Sequence, residues 1–252
     1  MPTAALLAGS YRDSSVHELA PPLFPRPQVA AMISVAKHRR PIGIGAIVLA
    51  VFWLVSCSTS PVDGARRKRV FCKRVIDGDT IVLSDGRKVR YLEINAPEVA
   101  HKDKPGEPFG REAAYLNKRL VEGKRIDILV ASSVPYDQYG RLLAHVFLLN
   151  GKLVSEVLLK NGLAHCCFYQ KPDHYAKRLV AAQRSAILSH KGIWSIKHHA
   201  SEKYYIGNRR SLKFHRPWCP LGQSTAPGNR IIFKTRKKAF LKGYCPCKRC
   251  RP

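Results

Sequence analysis

The chain has 252 residues, enough for one ordinary domain and a smaller one once a targeting segment is set aside. Its 44 Lys and Arg outnumber its 17 Asp and Glu, and the formal net charge of +27 is spread along the chain rather than confined to a tail. Because so large an excess costs self-repulsion in a compact state, it argues against a role in solubility alone. It predicts a polyanionic partner, either nucleic acid or an anionic membrane face.

The eight cysteines are unevenly spaced, and three of them fall within the last eight positions. Such crowding favours a metal site or a local redox site over a disulfide framework spread through the whole chain. The cysteines are Cys57, Cys72, Cys166, Cys167, Cys219, Cys245, Cys247 and Cys250.

The N-terminal part of the chain has the order of features that is typical of an exported protein. Residues 1–31 contain several prolines without apolar periodicity, and we expect them to be disordered or to precede the true start at Met32. A basic cluster at 37–40 then precedes an apolar run at 42–55, so that residues 32–56 resemble a signal peptide. The run is shorter than the roughly 20 residues of a spanning helix, although a short signal anchor remains an alternative.

The apolar run leads to Cys57 in a setting that resembles the lipobox of bacterial lipoproteins, in which the cysteine is lipidated and becomes the mature N-terminus. Residues 57–68 are expected to form a tether, because Ser, Thr and Pro follow the cysteine. We therefore expect an extracytoplasmic protein of the bacterial cell envelope, either anchored in the membrane as a lipoprotein or secreted.

Alternating apolar residues and turn signals predict a small barrel after this tether. Strands are expected at 70–76, 81–84, 88–94, 125–130 and 142–149, and helices at 111–122, 154–161 and 175–190. The loop at 97–110 is long for a compact domain, and such loops are more often functional than idle. Five short strands with interleaved helices predict an α+β fold built on a closed barrel of the oligonucleotide-binding (OB) type.

Three polar segments of this barrel offer groups suited to phosphodiester hydrolysis. That reaction needs relief of charge on the phosphoryl oxygens, an oriented water and help for the leaving oxygen. Hard oxygen ligands for a cation, together with arginines, would supply these. The candidate residues are Asp77, Asp79 and Thr80 at a tight turn; Arg90, Asn95 and Glu98 on a strand and its exit loop; and Asp137 and Arg141 at the turn that opens the fifth strand.

In this order, the three segments resemble the staphylococcal nuclease (thermonuclease) family, and the likeness runs from about residue 70 to residue 194. Supporting stretches lie at 108–113, 150–154, 161–164 and 191–194. The resemblance implies a five-stranded OB-fold of the staphylococcal nuclease type over residues 69–195. It also implies calcium-dependent cleavage of DNA and RNA.

The resemblance assigns a role to each candidate. Asp79 would bind calcium, Arg90 and Arg141 would hold the phosphate, and Glu98 would position or deprotonate the attacking water. Residues expected to support these turns are Asp77, Thr80 and Asp137. Phe168 and Tyr169 occupy the segment where the family has tyrosines that stack on nucleotides, and they either offer ring faces to a base or pack in the core.

Asn95 departs from the family pattern, which has a second metal-binding aspartate at this position. An asparagine carbonyl can still ligate calcium, but the site loses one negative charge, so weaker metal binding is expected. The alternative function is therefore a non-catalytic nucleic-acid-binding protein with a weakened metal site. A third hypothesis, in which the positive charge meets anionic lipid, remains open. We expect a monomer in each case.

After a polar linker at 196–203, residues 204–252 resemble the metal-binding domain of the Ada DNA-repair protein, with a helix at 235–242. The resemblance implies zinc, and the matching residues are His215, Cys219, Cys247 and Cys250. A disulfide from Cys219 to Cys247 or Cys250 is the alternative, because exported thiols tend to be oxidised. Cys245 is not expected to be a ligand. This small, very basic α+β module could hold DNA for the barrel to cut.

Overall fold

The computed structural model describes residues 67–102, 104–169, 171–197 and 202–252, which form one compact unit. The predicted signal peptide at 32–56, the preceding residues 1–31 and lipidation at Cys57 lie outside the described residues, as does most of the tether. Among the helices of the described part, none has both the length and the apolar character needed to cross a membrane.

The described residues form eleven strands and five α-helices, numbered here in chain order. The strands are β1 (Lys68–Val75), β2 (Thr80–Leu83), β3 (Lys88–Tyr91), β4 (Ile94–Asn95), β5 (Arg125–Val130), β6 (Leu142–Phe147), β7 (His165–Cys166), β8 (Tyr205–Asn208), β9 (Lys213–His215), β10 (Arg230–Phe233) and β11 (Cys245–Pro246). The α-helices are α1 (Gly110–Val121), α2 (Val154–Lys160), α3 (Ala176–Leu188), α4 (Pro220–Gln223) and α5 (Arg236–Leu241).

Five strands close into a barrel in the order β1-β2-β3-β6-β5, with β3 and β6 parallel and the other pairs antiparallel. Its interior is filled by branched aliphatic side chains such as Ile81, Val89 and Ile128, each at most 1% exposed. Closure pairs both outer strands, so the barrel presents no open edge to other chains. The predicted barrel with its helices is confirmed.

The prediction of one strand over 88–94 was wrong at its end. The chain takes a positive φ of 63° at Glu93, and Ile94 and Asn95 form the separate strand β4, which pairs with β7. A non-glycine residue rarely adopts this conformation, so the sequence carries no turn signal there. The break turns the chain out of the barrel and directs the loop that carries Glu98.

The C-terminal residues form a four-stranded sheet in the order β10-β8-β9-β11, with α4 and α5 beside it. Its small apolar core consists mainly of aromatic rings, among them Phe214 and Phe240, and it includes Ile187 from α3 of the barrel. A unit this small buries little apolar surface of its own, so borrowing a residue from a neighbouring helix contributes to its stability.

A buried amide in α1 fixes the turn between β1 and β2. Asn117 is 0% exposed, accepts a hydrogen bond from Tyr91 Oη (2.8 Å) and donates to the carbonyl oxygen of Asp77 (3.0 Å). The turn that follows Asp77 is therefore fastened to the helix by a polar group out of reach of water.

We predict that Asn117→Ala lowers the free energy of unfolding by about 2–4 kcal/mol, because it leaves a buried hydroxyl and a carbonyl without their partner. Urea denaturation followed by circular dichroism measures this loss. As a control, Asn161→Ala removes an exposed amide that donates to the Val157 carbonyl (2.8 Å) and should cost less than about 1 kcal/mol. Equal losses in the two variants would contradict the structural role of Asn117.

Candidate functional site

The turn between β1 and β2 holds the carboxylate of Asp79 by three donors. The Ala96 N–H donates to Oδ2 (2.6 Å), the Thr80 hydroxyl donates to Oδ1 (3.2 Å), and Arg90 Nη2 lies 2.9 Å from Oδ2. Asp77 orients the turn itself, since its Oδ1 accepts the Asp79 N–H (2.9 Å). Asp79 is thus fixed in position although it is only 5% exposed.

Gly78 lets this turn approach its neighbours closely. A Cβ at this position would lie 2.5 Å from the Ala96 Cβ and 2.7 Å from the Ala113 Cβ, distances at which atoms clash. Only glycine therefore brings the turn against both β4 and α1, and this close approach allows Asp79 to reach the Ala96 N–H.

Arg90 joins the turn to the end of β4. Its Nη2 donates to Asn95 Oδ1 (3.0 Å) as well as contacting Asp79, and its Nη1 donates to the Tyr91 carbonyl (2.9 Å). The carboxylate and the amide oxygen therefore accept from the same guanidinium nitrogen and lie close together. Both are oxygen donors, which is the ligand type that calcium prefers, so these residues fit a hard cation.

The protonation of the Asp79 carboxyl depends on the charges near it. The pKa of the Asp79 carboxyl is raised to about 7, mainly by burial. The charge of Arg90 lowers this pKa, whereas that of Asp77 raises it. A positive charge placed near this carboxylate favours its ionised form.

Arg141 is held by the turn that precedes β6. Its Nε and Nη2 contact Asp137 Oδ2 at 2.8 and 2.7 Å, and its guanidinium carbon lies 5.3 Å from the centre of the Tyr139 ring. Asp137 Oδ1 accepts the backbone N–H groups of Tyr139 (2.9 Å) and Arg141 (3.0 Å). Burial raises the pKa of Asp137, but these hydrogen bonds outweigh it and leave the pKa below its ordinary value.

One cavity of about 520 Å³ brings the candidates together. Arg90, Asn95, Glu98 and Arg141 all line it, and Asp79 lies directly behind Arg90. Glu98 is exposed to solvent at this cavity, while its backbone is fixed by the Glu107 carboxylate, which accepts the Glu98 N–H (3.1 Å). Two guanidinium groups, one amide and the Glu98 carboxylate thus line a space large enough for a nucleotide.

The two aromatic candidates are separated by the structure. Tyr169 is 52% exposed and lines the cavity. Phe168 is 4% exposed and packs in the core of the barrel, so the expectation that it offers a ring face to a base is corrected to the core alternative.

A second polar cluster in the same cavity was missed by the sequence analysis. His145 Nε2 lies 2.6 Å from Asp173 Oδ2, and the Asp173 N–H donates to Glu93 Oε1 (3.0 Å). Burial raises the pKa of Glu93 to about 8. The cluster has no sequence motif, because its residues come from three separate segments; a glutamate between the apolar residues 92 and 94 was the one local signal.

Four residues of the C-terminal module form a compact donor set. One potential ligand atom from each of His215, Cys219, Cys247 and Cys250 lies within 4.8 Å of the others, and all four residues are buried. The three cysteines are free in the described part of the chain, which contradicts the alternative of a Cys219 disulfide. Burial, aided by Lys213, lowers the pKa of His215 and favours the neutral, metal-binding imidazole. Three sulfurs and one nitrogen fit tetrahedral zinc.

A disulfide between Cys167 and Cys245 joins the barrel to the C-terminal sheet, with a Cα–Cα distance of 4.8 Å. The sequence does not predict this bond, because 78 residues separate the two cysteines and Cys245 lies within the C-terminal cysteine cluster. The expectation that Cys245 is not a metal ligand agrees with this bond.

Comparison with known proteins yields two families. The model of the family described as "Staphylococcal nuclease homologue" matches residues 88–196, and that of the "Metal binding domain of Ada" matches residues 191–252. The first match contains Arg90, Asn95, Glu98 and Arg141, and the second contains the whole donor set of the module.

Among individual relatives, the thermonuclease of Staphylococcus hyicus is 37% identical over 125 residues, which are 48% of this chain and 73% of that protein. The thermonuclease of Staphylococcus intermedius is 33% identical over 156 residues, 59% of this chain and 91% of that protein. Endonuclease YncB of Bacillus subtilis is 36% identical over 140 residues, 54% of this chain and 63% of that protein. With the barrel and its cavity, these similarities establish that the chain belongs to the staphylococcal nuclease family and carries an Ada-type metal-binding domain at its C-terminal end.

Proposed function

We propose that this nuclease hydrolyses phosphodiester bonds of DNA, with RNA as a further substrate, in a calcium-dependent reaction. The observation that carries the proposal is the convergence of Arg90, Glu98 and Arg141 on one cavity, with Asp79 and Asn95 joined through Arg90 at its wall. The names of the relatives, thermonuclease and endonuclease, support the same reaction class.

The two arginines are suited to hold the reacting phosphate. A guanidinium presents parallel N–H groups that match two phosphoryl oxygens, and it keeps its charge at any working pH. Arg141 is already oriented by Asp137 before substrate arrives, so little reorganisation is needed when negative charge develops in the transition state. Arg90 is held equally firmly by Asp79 and Asn95.

Glu98 is suited to act on the attacking water. Its side chain is exposed within the cavity, whereas Asp79 is buried and engaged by three donors. A general base has to reach the water whose proton it accepts, and the carboxylate of Glu98 has that access.

Asp79 and Asn95 would hold calcium, which supplies positive charge to the phosphoryl oxygens when it is bound. The pair offers one negative charge, and the amide contributes only a dipole. We therefore expect the metal to bind more weakly than at a site with two carboxylates. Should the affinity be too low, the same cavity would serve the alternative function of nucleic-acid binding without cleavage.

Cleavage of plasmid DNA should require calcium and stop when a chelator is added. Arg141→Ala and Glu98→Ala should each lower kcat at least about 10²-fold, because each removes a group that interacts with the reacting centre. Initial rates in a gel or fluorescence assay measure the effect.

The matched control is Arg87→Ala, which also removes an arginine paired with an aspartate, Asp85 (Nη2–Oδ2, 2.6 Å). Arg87 lies outside the cavity lining, so this variant should keep the wild-type rate. Cutting that survives chelation, or that both cavity variants leave intact, would overturn the assignment of the site.

Asn95→Asp should move the calcium concentration for half-maximal activity about tenfold lower. The substitution adds a carboxylate beside Asp79 and keeps an oxygen in place to accept from Arg90. A calcium titration of the initial rate measures the shift, and Asn95→Ala should move the midpoint in the opposite direction. A midpoint that neither variant changes would remove this residue from the metal site.

For the module we propose structural zinc held by His215, Cys219, Cys247 and Cys250, supported by the geometry of the donor set and the Ada-type match. Elemental analysis should find one zinc per chain, and Cys250→Ser should release it and lower the Tm. Cys72→Ala, which removes a free thiol buried in the barrel, should leave the zinc content unchanged. Mass spectrometry that finds a Cys219 disulfide and no zinc would contradict the proposal.

We also propose that the protein works outside the cytosol, as a lipoprotein anchored through Cys57 or as a secreted protein. The disulfide between Cys167 and Cys245 supports an oxidising compartment. Binding to zinc would protect the three clustered thiols there, because metal-bound thiolates are less available for oxidation.

A further inference from the structure

The C-terminal module is fastened to the barrel next to the cavity. Besides the disulfide, the side chain of Gln183 on α3 bridges the two parts: its Oε1 accepts the Cys166 N–H (2.6 Å) and its Nε2 donates to the Phe240 carbonyl (2.6 Å). Gln183 is 0% exposed, so both bonds are shielded from water. Arg184 Nε adds a bond to the Leu241 carbonyl (2.7 Å).

The fit between the two parts is close at Gly243, the residue after α5 and its C-cap. A Cβ there would lie 2.8 Å from Val180 Cγ2 of α3, and the backbone has a positive φ of 79°. Both facts require glycine at this contact. The module is therefore held in one position relative to α3 by a covalent bond, buried hydrogen bonds and packing.

This position brings two lysines of the module to the cavity. Lys213 begins β9 and Lys248 follows β11, the strand that pairs with β9 in parallel, and both lysines line the cavity that contains Arg90 and Arg141. The ammonium nitrogens of Lys213 and Lys248 each lie 5.7 Å from the centre of the exposed Tyr169 ring. An aromatic ring from the barrel is thus flanked by two cations from the module.

We propose that Lys213 and Lys248 extend the substrate surface of the nuclease from the barrel onto the module, where they form with Tyr169 a subsite for a nucleotide strand. The inference rests on the proposed function and adds substrate-binding residues to it. The lysines contact backbone phosphates on either side of a base that stacks on Tyr169.

Chemistry and charge agree with this ligand rather than with a small anion. A stacking ring beside two cations matches the alternation of base and phosphate along a strand. Lys213 is half-buried and Lys248 is exposed, so both side chains stay within reach of a strand in the cavity.

The test is steady-state cleavage of a single-stranded oligonucleotide by the full chain with calcium, over a range of salt concentrations. Lys213→Gln combined with Lys248→Gln should raise KM about tenfold and change kcat less than twofold. The slope of log(kcat/KM) against log salt should fall by about 1.4, because two phosphate contacts on a single strand contribute roughly 0.7 each. Tyr169→Ala should raise KM at least fivefold on the single strand.

The matched control combines Lys234→Gln with Lys237→Gln, two exposed lysines of the same module that do not line the cavity. It removes the same net charge and should keep the wild-type KM and salt slope. Zinc content and Tm identify any variant that has lost the fold, in which case Lys248→Gln alone replaces the pair and should raise KM about threefold.

If the double variant at Lys213 and Lys248 has the same KM and salt slope as the control variant, the subsite is overturned. The proposed cleavage would be unaffected by that result. If the wild-type protein cleaves nothing, binding of the same strand can be measured by fluorescence anisotropy. The slope of the logarithm of the binding constant against log salt then tests the subsite. In that case a slope difference of about 1.4 between the two lysine pairs supports the subsite, and equal slopes overturn it.

Discussion

The buried pair of Asp79 and Arg90 is the interaction on which the site depends. Taking both charges out of water costs several kcal/mol per ion, a cost that one ion–ion contact does not reliably offset. The structure adds further hydrogen bonds: the carboxylate accepts from Ala96 and Thr80, and the guanidinium donates to Tyr91 and Asn95. These partners belong to β2, to β3, to β4 and to the residue that follows β4. The pair therefore fixes the relative positions of the segments around the cavity. The amide of Asn117 secures the same turn from α1.

The small module depends on the barrel in a comparable way. Its core consists of a few aromatic rings completed by Ile187 from α3, and a buried glutamine from the same helix hydrogen-bonds to its backbone. A metal site is a second source of stability for a unit of this size. Helix α3 therefore serves both parts: it closes the barrel's helical layer against α2, and it carries the contacts that place Lys213 and Lys248 at the cavity.

The sequence predicted the features that are encoded locally. Strand β5 alternates between apolar and polar residues at its start. The residues of the site occupy short segments at turns and strand ends, where the family resemblance identified them. The disulfide could not be predicted from local sequence, because nothing near Cys167 or Cys245 indicates a partner 78 residues away. The contact of Glu93 with Asp173 and His145 likewise depends on how β4 and the segment after β7 pack. The division between Phe168 and Tyr169 depends on which of the two rings packs in the barrel core, which composition does not specify.

The amide at Asn95 changes how charge is distributed in the cavity. Arg90 pairs with Asp79, and Arg141 pairs with Asp137, so both arginines already have an acidic partner. On the proposed function, the negative charge that an aspartate would supply to a cation has to come from the phosphates of the substrate. Substrate and calcium would then strengthen each other's binding, since any coupling between two ligands is reciprocal. The lysines at Tyr169 fit this arrangement, because they attract the strand without pairing with Asp79, the carboxylate that would hold the cation.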